Sequence, residues 1–164
     1  MPKTVNLIVA CGENRVIGRG RRLPWRIPED WEHLHRQTAG QIAILGRVSF
    51  KAWPTVTTDH RRAIVVTRDA TLAGAAVQTA PTLAAALEIA EALPGEIYVC
   101  GGERLFAEAM ALPQAQRLYL TLVHAQPEGD KYFPDWHAAF PRVLAQRESH
   151  DAHHRYTFFE LGRA

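Results

Sequence analysis

Apolar and polar positions follow two rhythms along this chain, and the two predict different elements. Val5 to Cys11, Ile42 to Leu45, Ala63 to Thr67, Ile97 to Cys100 and Leu118 to Val123 are short β-rich runs with almost no charge. Such continuous apolar runs read as strands buried on both faces. Pro28 to Thr38, Thr82 to Leu93 and Glu103 to Ala111 have helical spacing instead, with Leu83, Leu87, Ala90 and Leu93 on one stripe, as a helix lying on a sheet requires. Strands alternating with helices predict an α/β fold with a largely parallel sheet. The last part of the chain differs. Val143 to His150 and Arg155 to Leu161 follow one another with no helix between them, so an antiparallel pair is expected to close a mixed sheet. Proline marks loops around Pro54, Pro127 and Pro134, and neither an internal repeat nor a low-complexity tract breaks the pattern.

Composition narrows this picture. At 164 residues and 47% hydrophobic content, one domain covering residues 1–164 is expected. No apolar stretch approaches the roughly 20 residues that span a bilayer. Met1-Pro2-Lys3 leads straight into the first strand without an export-signal pattern, so a cytoplasmic protein with no membrane partner is expected. Cys11 and Cys100 each end an apolar run and read as reduced core thiols. A formal charge of +2 is no nucleic-acid footprint, although Arg15, Arg19, Arg21, Arg22 and Arg26 gather around Trp25, where phosphates and a stacked base could be met. A nucleic-acid-binding module is thus the alternative from a different class. No nucleic-acid partner is expected, because the rest of the chain lacks a matching basic stripe. His150, His153 and His154 fall at a predicted hairpin with no cysteine pair nearby; they read as solvated turn residues, and no metal is expected.

The run Leu23-Pro24-Trp25-Arg26-Ile27-Pro28-Glu29-Asp30 holds the first candidate chemistry. Proline suits the first helical position, so Asp30 falls in the first turn. Its helical neighbours are Trp31, Leu34 and Thr38. The helix N-terminus favours the charged carboxylate and apolar neighbours disfavour it. Asp30 is therefore either an acid that complements the helix dipole or a pocket carboxylate. Ligands of open α/β sheets bind beyond the carboxyl ends of strands, and two such junctions look alike here. Ile97-Tyr98-Val99-Cys100 leads into Gly101-Gly102 and a helix near Glu103, and Ile44-Leu45 leads into Gly46-Arg47 and a helical turn at Ser49-Phe50. Glycines there let backbone N–H groups approach a phosphate, or they simply make tight turns. No Gly-x-Gly-x-x-Gly occurs, which disfavours a conventional dinucleotide-binding domain. Arg47, Arg68 and Arg104 follow strand ends and could meet an extra phosphate, or remain solvated surface groups.

Taken in order, Val16-Ile17-Gly18, Leu23-Pro24-Trp25, Pro28-Glu29-Asp30, Leu45-Gly46-Arg47, Gly101-Gly102, Tyr119-Leu120-Thr121, Glu128-Gly129-Asp130 and Phe133-Pro134 strongly resemble bacterial dihydrofolate reductases over nearly the whole chain. The resemblance implies an α/β fold on an eight-stranded mixed sheet with about four helices. It implies NADPH-dependent reduction of 7,8-dihydrofolate to 5,6,7,8-tetrahydrofolate, by hydride transfer to C6 and protonation at N5, in support of one-carbon and thymidylate metabolism. Antifolate inhibitors are implied as further ligands, and a monomer is expected.

By the same resemblance Asp30 is the pocket acid that holds the pyrimidine edge of the pterin, supported by the Thr121 hydroxyl. Trp25 stands beside an active-site water, and Leu23 lies in the mobile loop that admits it. Ile8 and Cys100 face the pterin with backbone carbonyls, while Trp31, Leu34 and Trp53 line the folate pocket. Arg61 grips the α-carboxylate of the glutamate tail; a one-residue offset makes Arg62 its competitor. Ala10, Ile17 and Phe106 border the nicotinamide. Gly101 and Gly102, expected to be joined by a cis bond, meet the pyrophosphate. Arg47, Ser49, Thr67 and Arg68 hold the phosphates of the adenosine half, with Gly18, Arg22, Gly46, Arg104 and Leu105 completing the cofactor set.

The loop from Gly12 to Arg26 is expected to close over the nicotinamide, hinged at Gly18 and Gly20 and latched by Asp130. Departures from the family pattern are Leu23 for a common methionine, Phe106 for a common tyrosine, Leu34 for a frequent phenylalanine, and Pro81 near the usual phosphate-binding lysine. Pro81 shifts phosphate recognition onto Arg47 and Arg68. The nearest rival is the reductase of the riboflavin pathway, similar in fold; Asp30 and Leu23-Pro24-Trp25 favour the folate enzyme.

Overall fold

In the computed structural model, which describes residues 2–20 and 22–164, the apolar runs become the interior of one sheet. The elements, in chain order, are β1 (Val5–Gly12), β2 (Val16–Gly18), α1 (Pro28–Thr38), β3 (Ile42–Gly46), α2 (Arg47–Ala52), β4 (Arg62–Val66), β5 (Val77–Ala80), α3 (Leu83–Glu91), β6 (Ile97–Gly101), α4 (Glu103–Met110), β7 (Ala115–Val123), β8 (Lys131–Tyr132), β9 (Arg142–His150) and β10 (Arg155–Gly162). Eight strands form the main sheet in the order β5-β4-β3-β6-β1-β7-β10-β9, and β2 pairs with β8 in a small separate ribbon. Pairing is parallel from β5 to β7 and antiparallel for β7-β10-β9. This is the mixed sheet expected from the pattern.

Successive side chains on a strand point to opposite faces, and the buried clusters divide accordingly. Ile42, Ile44, Ile97 and Val99 pack with Leu83, Ala86 and Ala90 of α3 and Leu105, Phe106 and Ala109 of α4. Ala43, Leu45, Ala63 and Val65 pack on the other side with Trp53, Trp31 and Leu34. Helices therefore cover both faces. From β1 the chain runs outward through β3, β4 and β5, then returns to insert β6 between β3 and β1 before crossing to β7. Such a reversal opens a crevice at the carboxyl ends of the strands.

Three strands escape the hydrophobic pattern because none has a continuous apolar run. β5 carries Gln78 and Thr79 between its buried ends, and β2 and β8 have three and two residues. α3 is shorter than its stripe, ending at Glu91, because Leu93 is followed by Pro94-Gly95. β4 stops at Val66, so Thr67 begins the loop; its hydroxyl accepts the Asp69 N–H at 3.1 Å. Among the clustered arginines Arg21 lies outside the described residues.

Candidate active site

The crevice is built by ends of elements. Pro28 opens α1, and the Asp30 N–H bonds the Ile27 carbonyl at 3.0 Å. The side chain then points toward β7, where the Thr121 hydroxyl bonds the Asp30 carboxyl. Thr121 is itself fixed by register, opposite Ala10 of β1 on one side and Phe158 of β10 on the other. Burial pushes the carboxyl from its ordinary 3.8 up to about 6, against the smaller opposing effect of the Thr121 hydrogen bond. The acid is poised near neutrality, as apolar surroundings and a single hydroxyl donor dictate. Trp25 lies in a buried cluster with Ile27, Val123, Tyr156 and Phe158, Ala10 at its edge, and its indole N–H is buried without a protein acceptor. Leu23 is exposed at 41% in the adjoining loop.

Opposite this cluster stands a second one. Trp53 is buried, and Trp31, Leu34, Phe50 and Cys100 pack around it, with Trp31 and Trp53 edge to face at 6.4 Å. His35 joins the two tryptophans: Nδ1 lies 2.7 Å from the Trp31 carbonyl and Nε2 takes the Trp53 indole N–H at 3.2 Å. That network assigns the proton to Nδ1. Neither His35 nor Phe50 had a hydrophobic or motif signal tying it to a site. Ile8 is buried in β1, and Cys100, the next-to-last residue of β6, is a free thiol raised to about 12 by burial. No disulfide joins the cysteines.

Arg61 and Arg62 part company here. Arg62 is exposed at the start of β4. Arg61 is fully buried, over the Trp53 ring at 5.3 Å. Its guanidinium donates to Thr38 Oγ1 at 2.8 Å, the His35 carbonyl at 2.6 Å, the Thr58 carbonyl at 2.8 Å and Asp59 Oδ2 at 3.3 Å. Every nitrogen of the fork has an internal partner, one of them a carboxylate.

The two glycine junctions meet. A Cβ on Gly46 would lie 4.0 Å from the Gly101 carbonyl and the Gly102 nitrogen. Gly101 has φ +139, and a side chain there would run into Ser49 Oγ. The Gly101–Gly102 peptide is cis. Backbone N–H groups of α4 and the Ser49 hydroxyl thus border a cradle that only glycine leaves open. Arg47, next to Gly46 in the chain, and Arg68, two residues after β4, are exposed, and Asp69 sits within the field of Arg47 and of Lys51, a cation that no sequence motif singles out. Arg104 instead points to solvent and pairs with Glu108 at 3.3 Å, and Leu105 turns its side chain into the core. Phe106 is likewise buried, edge to face with Phe133 at 5.1 Å. Of these three, only main-chain atoms and the edge of Phe106 are near the cradle.

The loop after β1 is partly ordered by β2, where Val16 pairs with Tyr132 and Gly18 with Lys131. Gly18 is therefore held in a strand rather than free to hinge. Ile17, half-buried between them, packs on the main core. Arg22 is exposed and bonded back to Arg19 in a tight bridge. The Gly20 N–H donates to Asp130 Oδ1 at 2.9 Å, the latch expected for this loop.

The family model described as dihydrofolate reductase covers residues 4–163. This chain belongs to the dihydrofolate reductase family. It is 36% identical over 137 residues to the dihydrofolate reductase of Staphylococcus haemolyticus, covering 80% of each chain. To the Neisseria meningitidis serogroup A dihydrofolate reductase it is 38% identical over 130 residues, 79% of this chain and 78% of the other. A solved Enterococcus faecalis dihydrofolate reductase complexed with NADP(H) and RAB-propyl superimposes with a TM-score of 0.85 at 25% identity, over 98% of this chain and 96% of that one. Within the dihydrofolate reductase fold, the described helices include none long and apolar enough to cross a membrane.

Proposed function

We propose that this chain reduces 7,8-dihydrofolate to tetrahydrofolate with NADPH, and that Asp30 is the group that holds and activates the pterin. The observation that carries the reading is the placement of Asp30: one carboxyl, raised to about 6 by burial and bonded to Thr121, between two apolar clusters at the carboxyl end of a parallel sheet.

Bound NADPH supplies the hydride. The chain's own part begins with geometry. The glycine cradle and the α4 N-terminus suit a pyrophosphate, and Arg47, Arg68 and Lys51 supply cations for the phosphate at the adenosine end. Trp31, Leu34, Phe50 and Trp53 offer an apolar slot for the flat body of the substrate. The 2-amino and N3 donors of the pterin require an acceptor in that slot, and Asp30 is the acid within reach, turned toward them by Thr121. Ionised Asp30 makes N5 more basic, because a negative charge in an apolar site stabilises the protonated ring. The unpartnered Trp25 indole N–H donates to a water or to the substrate itself, and Leu23 covers that approach from the loop. Arg61 takes the glutamate α-carboxylate by exchanging Asp59 for it.

NADPH consumption with dihydrofolate, run beside the pyrimidine substrate of the riboflavin-pathway reductase, tests the reading. Turnover of dihydrofolate alone supports it. Turnover of the pyrimidine alone overturns it.

A further inference from the structure

The helix that carries Asp30 begins without a side-chain cap, since its N-cap is Ile27. Glu29, immediately before Asp30, supplies another anchor. Its Oε1 accepts the Ser149 hydroxyl at 2.5 Å and the Tyr156 hydroxyl at 2.8 Å, and its Oε2 accepts from Arg147 at 3.0 Å. All three donors belong to the C-terminal pair β9 and β10. The Arg147 guanidinium lies over the Phe158 ring at 4.5 Å, and His33, one turn along α1, packs on the other part of that ring at 4.7 Å. Phe158 stands opposite Thr121 in the β10–β7 register. Both members of the Asp30–Thr121 hydrogen bond are thus referenced to β10, one through Glu29 and one through the sheet.

We propose that Glu29 is a positioning residue for Asp30: by tying the first turn of α1 to Ser149, Tyr156 and Arg147, it sets the direction in which the Asp30 carboxylate meets the pterin. This rests on the role given to Asp30 above. The tether is in one protonation state throughout the range in which Asp30 titrates. The Ser149 hydrogen bond, with Tyr156 and Arg147 adding to it, holds the Glu29 carboxyl below its ordinary value. Burial pushes the Tyr156 phenol up to about 12, with Glu29 and Asp151 adding to the effect. Burial, with Arg36 and Arg147, lowers His33 to about 4 against the pull of Glu29. A change in the pH profile near 6 then reports Asp30 rather than the tether.

Glu29→Ala should slow hydride transfer in single turnovers by about ten- to a hundredfold, the scale of a misplaced catalytic group, and displace the apparent pKa of the rate profile. NADPH affinity should stay at the parental value. Glu29→Gln, which keeps the shape and an acceptor oxygen for Ser149 and Tyr156, should recover most of the rate. Where Glu29→Ala does not fold, Ser149→Ala combined with Tyr156→Phe removes both donors to Oε1 and should give the same displaced profile. Parental rate and profile in Glu29→Ala, even with a lower Tm, would overturn the proposal, as would a defect confined to NADPH affinity. Asp30→Asn run in parallel separates the two layers. If Asp30→Asn is crippled while Glu29→Ala is parental, the tether alone is wrong; if Asp30→Asn is itself near parental, the role of Asp30 is wrong and the tether falls with it.

Discussion

Arg61 shows how a single residue can be both legible and misleading. The family resemblance implies a grip on the substrate tail, but not that burial leaves each of its nitrogens with an internal partner. Removing it also frees the His35 and Thr38 ends of α1, so Arg61→Ala mixes a binding loss with a folding loss. Asp59 gives the cleaner test, because its carboxylate occupies Arg61 from an exposed position. Asp59→Asn should lower the KM for dihydrofolate by roughly two- to tenfold, the range of a partly screened charged contact. A dihydropterin lacking the glutamate tail should be unaffected. An equal change for both substrates would break the link to Arg61. For Asp30 the folded pKa of about 6 stands above the ordinary 3.8, so its stabilising contribution is complete below about pH 4 and lost as pH rises through 6. Asp30→Asn should therefore raise stability by about 1–3 kcal/mol at neutral pH and by little near pH 4. Calorimetric melting across that range checks the sign; a gain of equal size at both ends would contradict it.

At the scale of elements, the helix from Pro28 to Thr38 and the five interior runs could be read because burial on a defined face leaves a pattern. The ribbon of β2 and β8 could not, because its stability comes from neighbours. Gly129 has to pass so close to the Gly18 carbonyl that a Cβ there would overlap it, and Asp130 then accepts the Gly20 N–H. The motif Glu128-Gly129-Asp130 signalled this turn without revealing the strand pairing that presents it. Asp130→Ala removes the latch but no core contact, so stability should change by less than about 1 kcal/mol while kcat falls by roughly three- to tenfold, since the loop would spend less time closed. Stopped-flow hydride transfer and equilibrium unfolding measured together decide this; an unchanged rate would mean that the Gly20 contact does not govern closure. The phosphate recognition proposed above also draws on a group of elements, the start of α2 and the loop after β4. With proline at 81, Arg47→Ala combined with Arg68→Ala should narrow the preference for NADPH over NADH, chiefly by weakening NADPH. Retention of the parental ratio would move the recognition onto Lys51.

For the molecule as a whole, the order of short motifs located the crevice, while the physical state of the groups in it needed the fold. Nothing in Pro28-Glu29-Asp30 says that Glu29 is engaged by β9 and β10 or that burial brings Asp30 to about 6. His35, Phe50 and Lys51 escaped because their roles depend on which residues the sheet brings opposite them. On the proposed reading, the sheet, α1 and the loop combine to put one negative charge where it raises the basicity of N5. Hydride transfer in single turnovers, compared between the parent and Asp30→Asn across the stable pH range, tests it most directly. At neutral pH the variant should lose about 3 to 5 kcal/mol of barrier lowering, the range open to acid-base assistance, with NADPH affinity intact. The deficit should shrink as acidity rises, because more dihydrofolate then arrives already protonated. Near-parental transfer at neutral pH, or a deficit of the same size at every pH, would contradict the account.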